Sequence, residues 1–503
     1  MKKITLTKYP FQKGTQCHKA LWLNYNNPEL KTPPNEEQRM IMDKGTEVGI
    51  IARQLYSGGR DLSENDTVYG RELMEKTQAA LKTDEQIFYE ASFETLDRRM
   101  NCKVDIFVRS ERNTRLIEVK SSTSIKTPDH ILDLAFQYYV LKNSSYTGPP
   151  LQVYLVYLNK EYVRGVELDV DELFVMEDVT RRIIDAQVLI KNYLVQFESV
   201  LKSQQCPNNR VSEACFKPYP CAFYNHCWKD LPPITVFNLS RLRKSKATQL
   251  IEEGIVELTQ IPSDMKLSVE QWVQVEATKK GSPSINHGEI TKFLGTLNLD
   301  QPTFWMDFET YMSPIPEYQG THPYQQICFQ YCVLLSINGQ IDRREFLAER
   351  GKDPRRAFIE SLLEDTEGEG KIIVYNQAFE IARLRELARE FPELEGDIQN
   401  RIERIRDLLI PFAKKYYYHP LMKGSASIKA VLPVLVNSEE LSYNNLSIKN
   451  GAMAMSLYEK FQQLELEKQI ETRRALLEYC HLDCLGMIKV AEALQNLVNH
   501  KPK

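Results

Sequence analysis

The sequence predicts an α/β protein built on more than one core, and three observations lead there. The chain has 503 residues, more than one hydrophobic core ordinarily serves, so two or three cores are expected. Short β-rich runs alternate with helical periodicity up to about residue 230 and again from Thr303 onward. Between these regions, after Pro232-Pro233, lies a stretch to about Leu299 with a helical pattern and no strong strand.

Taken in order, residues 35–56 have helical apolar spacing and close at Gly58-Gly59. Residues 102–108 and 116–119 are β-rich runs flanking a polar turn at 110–114. Pro128 opens a helix that continues to Lys142, since proline is tolerated in a first helical turn. A strand follows over 151–158, and one long helix is predicted from about Val175 to Lys202. In the middle stretch, breaks are expected at Pro262 and at 281–283. Strands are then predicted over 303–307, 328–335 and 371–375, with a final helix over about 472–496. No internal repeat or low-complexity tract interrupts this order.

With 42% hydrophobic and 26% charged residues the chain reads as soluble and globular. A net charge of -4 excludes a global field for nucleic acid, so any electrostatic footprint is local. Arg241, Arg243, Lys244 and Lys246, then Lys279 and Lys280, then Arg401, Arg404, Arg406, Lys414 and Lys415 form basic clusters, read here as solvated faces. The first six residues soon meet Lys8 and Pro10, which is not the apolar stretch of a secretory leader. No segment approaches the roughly 20 apolar residues of a membrane span. Ten cysteines without such a leader predict a reducing cytoplasm, where clustered thiols more often bind metal than form disulfides.

The last 200 or so residues carry the clearest chemistry. Asp307 and Glu309 lie two apart on a predicted strand and project from one face, while Tyr479 and Asp483 lie four apart on one face of a helix. Glu380 follows the strand 371–375, with Asn376 placed to cap the next helix and Phe379 to pack beneath. Hard divalent ions prefer oxygen ligands, and two of them roughly 4 Å apart can stabilise both the attacking and the leaving oxygen of a phosphodiester displacement. Tyr479 is placed to orient the attacking water. These residues resemble the DnaQ-like exonucleases of the DEDDy type over about 303–496. The resemblance implies an RNase H-like fold, Mg²⁺ or Mn²⁺ held by Asp307, Glu309, Glu380 and Asp483, and 3′-to-5′ polarity. Glu380 stands where that group usually has Asp, which lengthens the arm by one methylene.

In the first region, Asp105 ends one β-rich run and Glu118-Val119-Lys120 ends the next. Alternation puts Glu118 and Lys120 on one face. Two carboxylates and the Val119 carbonyl can hold a divalent ion, while Lys120 polarises water or stabilises the phosphorane charge. Gln137 on the following helix can reach the same place. This arrangement resembles the RecB-like branch of the PD-(D/E)XK nucleases over about 1–230. Two departures stand out. Gly45-Thr46-Glu47-Val48-Gly49 lacks the His that branch usually offers as a ligand, leaving Glu47 or Glu90 as candidates, and Leu141 stands where a Tyr is usual.

Cys215, Cys221 and Cys227 form a compact trio, and Cys17 sits alone near the start. One distant N-terminal thiolate plus such a trio resembles the iron-sulfur RecB-like nucleases, which implies a [4Fe-4S] cluster stapling the ends of the domain. Zinc is the weaker reading, because its cysteines usually come in tight pairs. Cys102, Cys206, Cys328, Cys332, Cys480 and Cys484 read as core residues, with Cys206 the one substitute ligand.

The stretch 242–280 has the rhythm of helix-hairpin-helix modules but lacks their Gly-x-Gly hairpin, so a helical connector is favoured. The expected organisation is therefore a PD-(D/E)XK domain over 1–230, a connector over 231–300 and an RNase H-like domain over 301–503. That order resembles a bacterial two-nuclease family without a settled role. The expected function is a metal-dependent nuclease acting on nucleic acid, with DNA as the leading substrate, and no membrane partner. The competing class is a nucleic-acid-binding or scaffold protein with one or both sites degenerate; a third reading makes the last half an RNase.

Overall fold

The computed structural model describes residues 5–436, 441 and 443–499. It divides into two compact units, Met1–Asp230 with Ser313–Gln325, and Leu231–Met312 with Gln326–Lys503. The expected boundary after residue 230 is where the division falls. The stretch 231–300 is not a separate connector but part of the second unit, and a short excursion, Ser313–Gln325, belongs to the first.

The first unit is built on a mixed sheet of β1 (Arg60–Asp61), β2 (Ile87–Glu94), β3 (Asn101–Arg109), β4 (Thr114–Lys120), β5 (Leu151–Leu158) and β6 (Phe174–Asp178), in spatial order β1 to β6. β2, β3 and β4 form an antiparallel meander, and β5 pairs parallel to β4. A parallel pair needs a crossover, and the helix Asp129–Lys142 supplies it. Its apolar residues, Leu134, Phe136 and Val140, pack with Phe88, Phe107 and Leu155 of the sheet. The predicted helix over 175–202 is corrected: Phe174–Asp178 is β6, paired antiparallel to β5. Helices Thr180–Asp185 and Gln187–Lys202 follow, meeting at Ala186.

The second unit holds β7 (Ser284–Ile285), β8 (Thr303–Tyr311), β9 (Ile327–Ile337), β10 (Gln340–Leu347), β11 (Lys371–Val374), β12 (Ile405–Asp407) and β13 (Tyr417–Tyr418). Five of them form a sheet in the order β10-β9-β8-β11-β12, and β7 pairs with β13. β9 runs antiparallel to both β8 and β10, whereas β11 is parallel to β8 and to β12. Central β8 and β9 are buried along most of their length, as their near-continuous apolar runs require. β8 carries a register shift between Glu309 and Thr310, the kind of irregularity that re-aims a side chain beside a site. The helix Leu466–Asn499 packs on β8 and β9.

In the middle stretch, helices Lys244–Glu252 and Val269–Lys280 are separated by 253–268 with a short turn at Leu258–Gln260, so no tight hairpin joins them. Arg401 and Arg404 do not form a solvated face. Their guanidiniums donate to the carbonyls of Leu363, Gly370 and Thr366, and Lys415 is buried. Among the described residues, no helix is long and apolar enough to cross a membrane.

Candidate active sites

Strand alternation on β8 and the one-turn spacing on the last helix bring three acids together. One ligand oxygen from each of Asp307, Glu309 and Asp483 lies within 4.8 Å of the others. Among the described residues no other group of three His, Cys, Asp or Glu is so close. Glu380 lies outside that group. It is nonetheless buried on the helix Gln377–Glu390, faces the charge of Asp307, and leaves its Oε2 without a hydrogen-bond partner.

Burial, followed by the neighbouring charge of Asp483, pushes the Asp307 carboxyl well above its usual range. Burial, then Asp307 and Asp483, does the same to Glu309. Burial raises Glu380 too, with Asp307 adding to it. Like charges packed out of water favour the neutral acid, and a bound divalent cation inverts that balance. Burial also raises Asp483, but less, because hydrogen bonds from Tyr443 and Tyr479 and the Lys429 ammonium favour its carboxylate.

Tyr479 sits where the helix spacing put it, and Lys429 Nζ donates to its hydroxyl at 2.8 Å. The same ammonium donates to the Lys449 carbonyl at 3.0 Å and lies 4.9 Å from the Tyr443 and Tyr479 ring centres. Tyr443 Oη donates to Asp483 Oδ1. Neither Tyr443 nor Lys429 was foreseen, since nothing in local spacing ties either to the acids. The expected side-chain cap by Asn376 is corrected. Asn376 occupies the cap position in a left-handed conformation, φ 86°, with no side-chain cap bond, and its N–H donates to Asp407 Oδ1 at 2.9 Å.

In the first unit, adjacent strand ends bring Asp105 and Glu118 together as expected. Asp105 Oδ2 accepts the Val119 N–H at 2.7 Å. Lys120 Nζ donates to Glu118 Oε1 at 2.6 Å, and Gln137 Nε2 donates to Glu118 Oε2 at 2.7 Å. Two further groups complete the cluster. Asp133, one helical turn before Gln137, accepts from Lys120 at 2.6 Å, and Lys8 Nζ donates to Glu118 and lies 3.1 Å from Asp133 Oδ2. The i, i+4 spacing of Asp133 and Gln137 was a usable signal. Lys8, more than a hundred residues away in sequence, gave none.

Burial acts against the Glu118 carboxylate, yet Lys120 and Lys8 hold its pKa well below the usual carboxylate range. Burial, joined by the Glu118 charge, raises Asp105. Of the two candidates for a further ligand, Glu90 adds to the field at Asp105 but is already bonded to Arg53 at 3.0 Å and Lys103 at 2.7 Å. Glu47 is exposed, and its pKa is raised by partial desolvation and then by the charge of Glu317.

Cys17, Cys215, Cys221 and Cys227 line one small pocket together with Ala20 and Phe223. Burial raises the Cys17 and Cys227 thiols; Cys215 adds to the rise at Cys17, and Cys221, Cys215 and Cys17 add to it at Cys227. Cys206 is exposed and does not line the pocket, which corrects its expected place in the core. Cys102, Cys328, Cys332, Cys480 and Cys484 are buried.

Comparison with known proteins adds a family and three relatives. Residues 304–427 match a domain of unknown function, DUF2779. An uncharacterized protein of Mycoplasma pneumoniae, the MG366 homolog, is 23% identical over 224 residues, which is 40% of this chain and 33% of that protein. The Mycoplasma genitalium protein MG366 is 25% identical over 41% of this chain and 34% of its own length. Ureaplasma parvum UU173 is 27% identical over 39% and 31%. The chain thus spans about a third of the length of these curated relatives. The crystal structure of SSO0001 overlays on 46% of this chain and 90% of its own, at 14% identity and a TM-score of 0.20.

Proposed function

We propose that the chain is a divalent-metal-dependent nuclease acting on DNA, with a 3′-to-5′ exonuclease site in the second unit and another nuclease site in the first. The observation that carries the reading is the convergence of Asp307, Glu309 and Asp483 within 4.8 Å, with the unpartnered Glu380 oxygen facing Asp307. Such a donor set suits Mg²⁺ or Mn²⁺, with Asp307 placed to face both positions of a metal pair. The pair would supply Lewis-acid stabilisation of the attacking and leaving oxygens. The sheet order, with β8 central, β9 and β10 antiparallel on one side and β11 and β12 parallel on the other, supports an RNase H-like core. The order helix, three antiparallel strands, helix, parallel strand supports a PD-(D/E)XK core around Asp105, Glu118, Lys120 and Gln137.

In the second unit Tyr479 accepts from Lys429 and its own O–H serves Asp483, from which it can turn to a water beside the acids. Tyr479→Phe keeps the ring and loses that orientation. Cleavage is expected to slow about 10- to 100-fold, while Mn²⁺ affinity by calorimetry changes by no more than about twofold.

We favour iron over zinc for the cysteine pocket. A tetrahedral zinc with bonds of about 2.3 Å would hold its sulfurs about 3.8 Å apart. The four thiols share a pocket without any three of them meeting at 4.8 Å, as suits the wider [4Fe-4S] cluster. Protein purified without oxygen is expected to be brown and to carry about four iron atoms per chain. Cys17→Ser should lose iron and lower the Tm of the first unit; stoichiometric zinc without iron would reject the cluster.

The deciding experiment is a screen of the full-length protein on labelled single- and double-stranded DNA and RNA, with free or blocked 3′ ends, in Mg²⁺ or Mn²⁺. Cleavage of no substrate would leave a binding or scaffold protein, and cleavage of RNA alone an RNase. Digestion of blocked ends as readily as free ones would overturn the polarity.

A further inference from the structure

We infer that Lys8 is a second cationic residue of the first unit's site and contacts the scissile phosphodiester; the inference rests on the nuclease reading of Asp105, Glu118 and Lys120. The Lys8 ammonium donates to Glu118 Oε1 and lies 3.1 Å from Asp133 Oδ2. These are the same two oxygens that Lys120 holds at 2.6 Å. Two like charges on one pair of oxygens repel, an arrangement that a structural ion pair does not need. The Asp133 and Glu118 side chains are almost completely buried, whereas that of Lys8 is 30% exposed, so Lys8 stands on the solvent side, where a substrate arrives.

Charge counting gives Lys8 its role. One divalent ion with the carboxylates of Asp105, Glu118 and Asp133 and the ammonium of Lys120 is neutral. Lys8 adds the single positive charge that one phosphodiester matches. When a metal takes Glu118, Lys8 loses that partner and its ammonium is free to meet the phosphate oxygen.

The placement is rigid. Lys8 opens the helix Lys8–Gln16, whose far end is capped by Cys17 of the cysteine pocket. Phe11 stacks on Phe136 of the helix bearing Asp133 and Gln137, with ring centres 4.5 Å apart. Gly14 lies so close to Phe197 that a Cβ there would meet the ring at 2.5 Å. Gln16 Nε2 donates to the carbonyls of Ala214 and Tyr219, each at 2.7 Å, in the loop that carries Cys215 and Cys221. The helix is thus fixed along its length, with the acid cluster at one end and the cysteines at the other.

The test uses full-length Asp307→Asn protein, in which the second site is silenced, with a labelled single-stranded DNA oligonucleotide and Mn²⁺. Lys8→Met is expected to lower kcat/KM about 10- to 100-fold and to tighten Mn²⁺ binding by calorimetry a few-fold, since a repelling charge is gone. Lys8→Arg should recover most of the cleavage. Unchanged cleavage in Lys8→Met, or a fall in cleavage with a parallel loss of Mn²⁺ affinity that Lys8→Arg does not rescue, would overturn the assignment and leave a structural ion pair. Should the Asp307→Asn parent bind no Mn²⁺ that Asp105→Asn removes, the nuclease reading of this unit fails first, and the inference about Lys8 with it.

Discussion

Asp307→Asn is expected to remove nearly all exonuclease activity from the second unit, roughly 1,000-fold or more, on the order of 4 kcal/mol of transition-state stabilisation. Asp307 is the acid that both meets Glu309 and Asp483 within 4.8 Å and adds its charge at Glu380. Replacing its charge by an amide leaves either metal position one anion short, while shape and β8 pairing are kept. The same substitution replaces a buried acid whose charged form its neighbours disfavour, so the metal-free protein should be as stable as the parent or more so. Mn²⁺ should then raise Tm in the parent and much less in the variant. Full activity in Asp307→Asn would show that these acids are a buried polar cluster and not a metal site.

The acids that regular local geometry delivers were legible in the sequence. Period two on β8 gives Asp307 and Glu309, and one helical turn gives Tyr479 and Asp483. Glu118 and Lys120 follow in the same way, and the β3–β4 hairpin with its crossover helix is read around them, whereas β2 was not foreseen. Residues supplied by tertiary contact were not. Lys8, Lys429 and Tyr443 come from helices and turns with no spacing relation to the acids they touch. Strand errors have a physical pattern too. β10 is an edge strand and mostly exposed, so its Gln-Ile-Asp-Arg-Arg-Glu run carries little apolar signal. β6 was absorbed into the following helix because Val175 and Met176 fit either period, and pairing with β5 decided it. The excursion Ser313–Gln325 was invisible as well. Its Tyr324 hydroxyl donates to the Ser121 carbonyl at 2.6 Å, a partner about two hundred residues away.

That excursion determines how the first unit must be tested, and its Lys120→Ala variant is the second large effect expected. A truncation before residue 303 would remove Ser313–Gln325, which belongs to the first unit, and with it the Tyr324 bond to Ser121, next to Lys120. The full chain carrying Asp307→Asn is therefore the proper background. In it, Lys120→Ala is expected to reduce DNA cleavage about 100- to 1,000-fold, because the ammonium that stabilises the developing phosphorane charge is lost while Asp105 and Glu118 remain to bind metal. Glu118 and Asp133, both buried, are left with Lys8 as their one lysine partner. Stability without metal should therefore fall by about 2 kcal/mol, less than for a buried charge stripped of every partner. Mn²⁺ restores positive charge to those carboxylates, so it should raise Tm more in Lys120→Ala than in the parent even though cleavage is not regained. A variant that loses cleavage and metal-induced stabilisation together would instead make Lys120 a prop for the fold, since a catalytic ammonium affects the reaction without being needed to hold the ion.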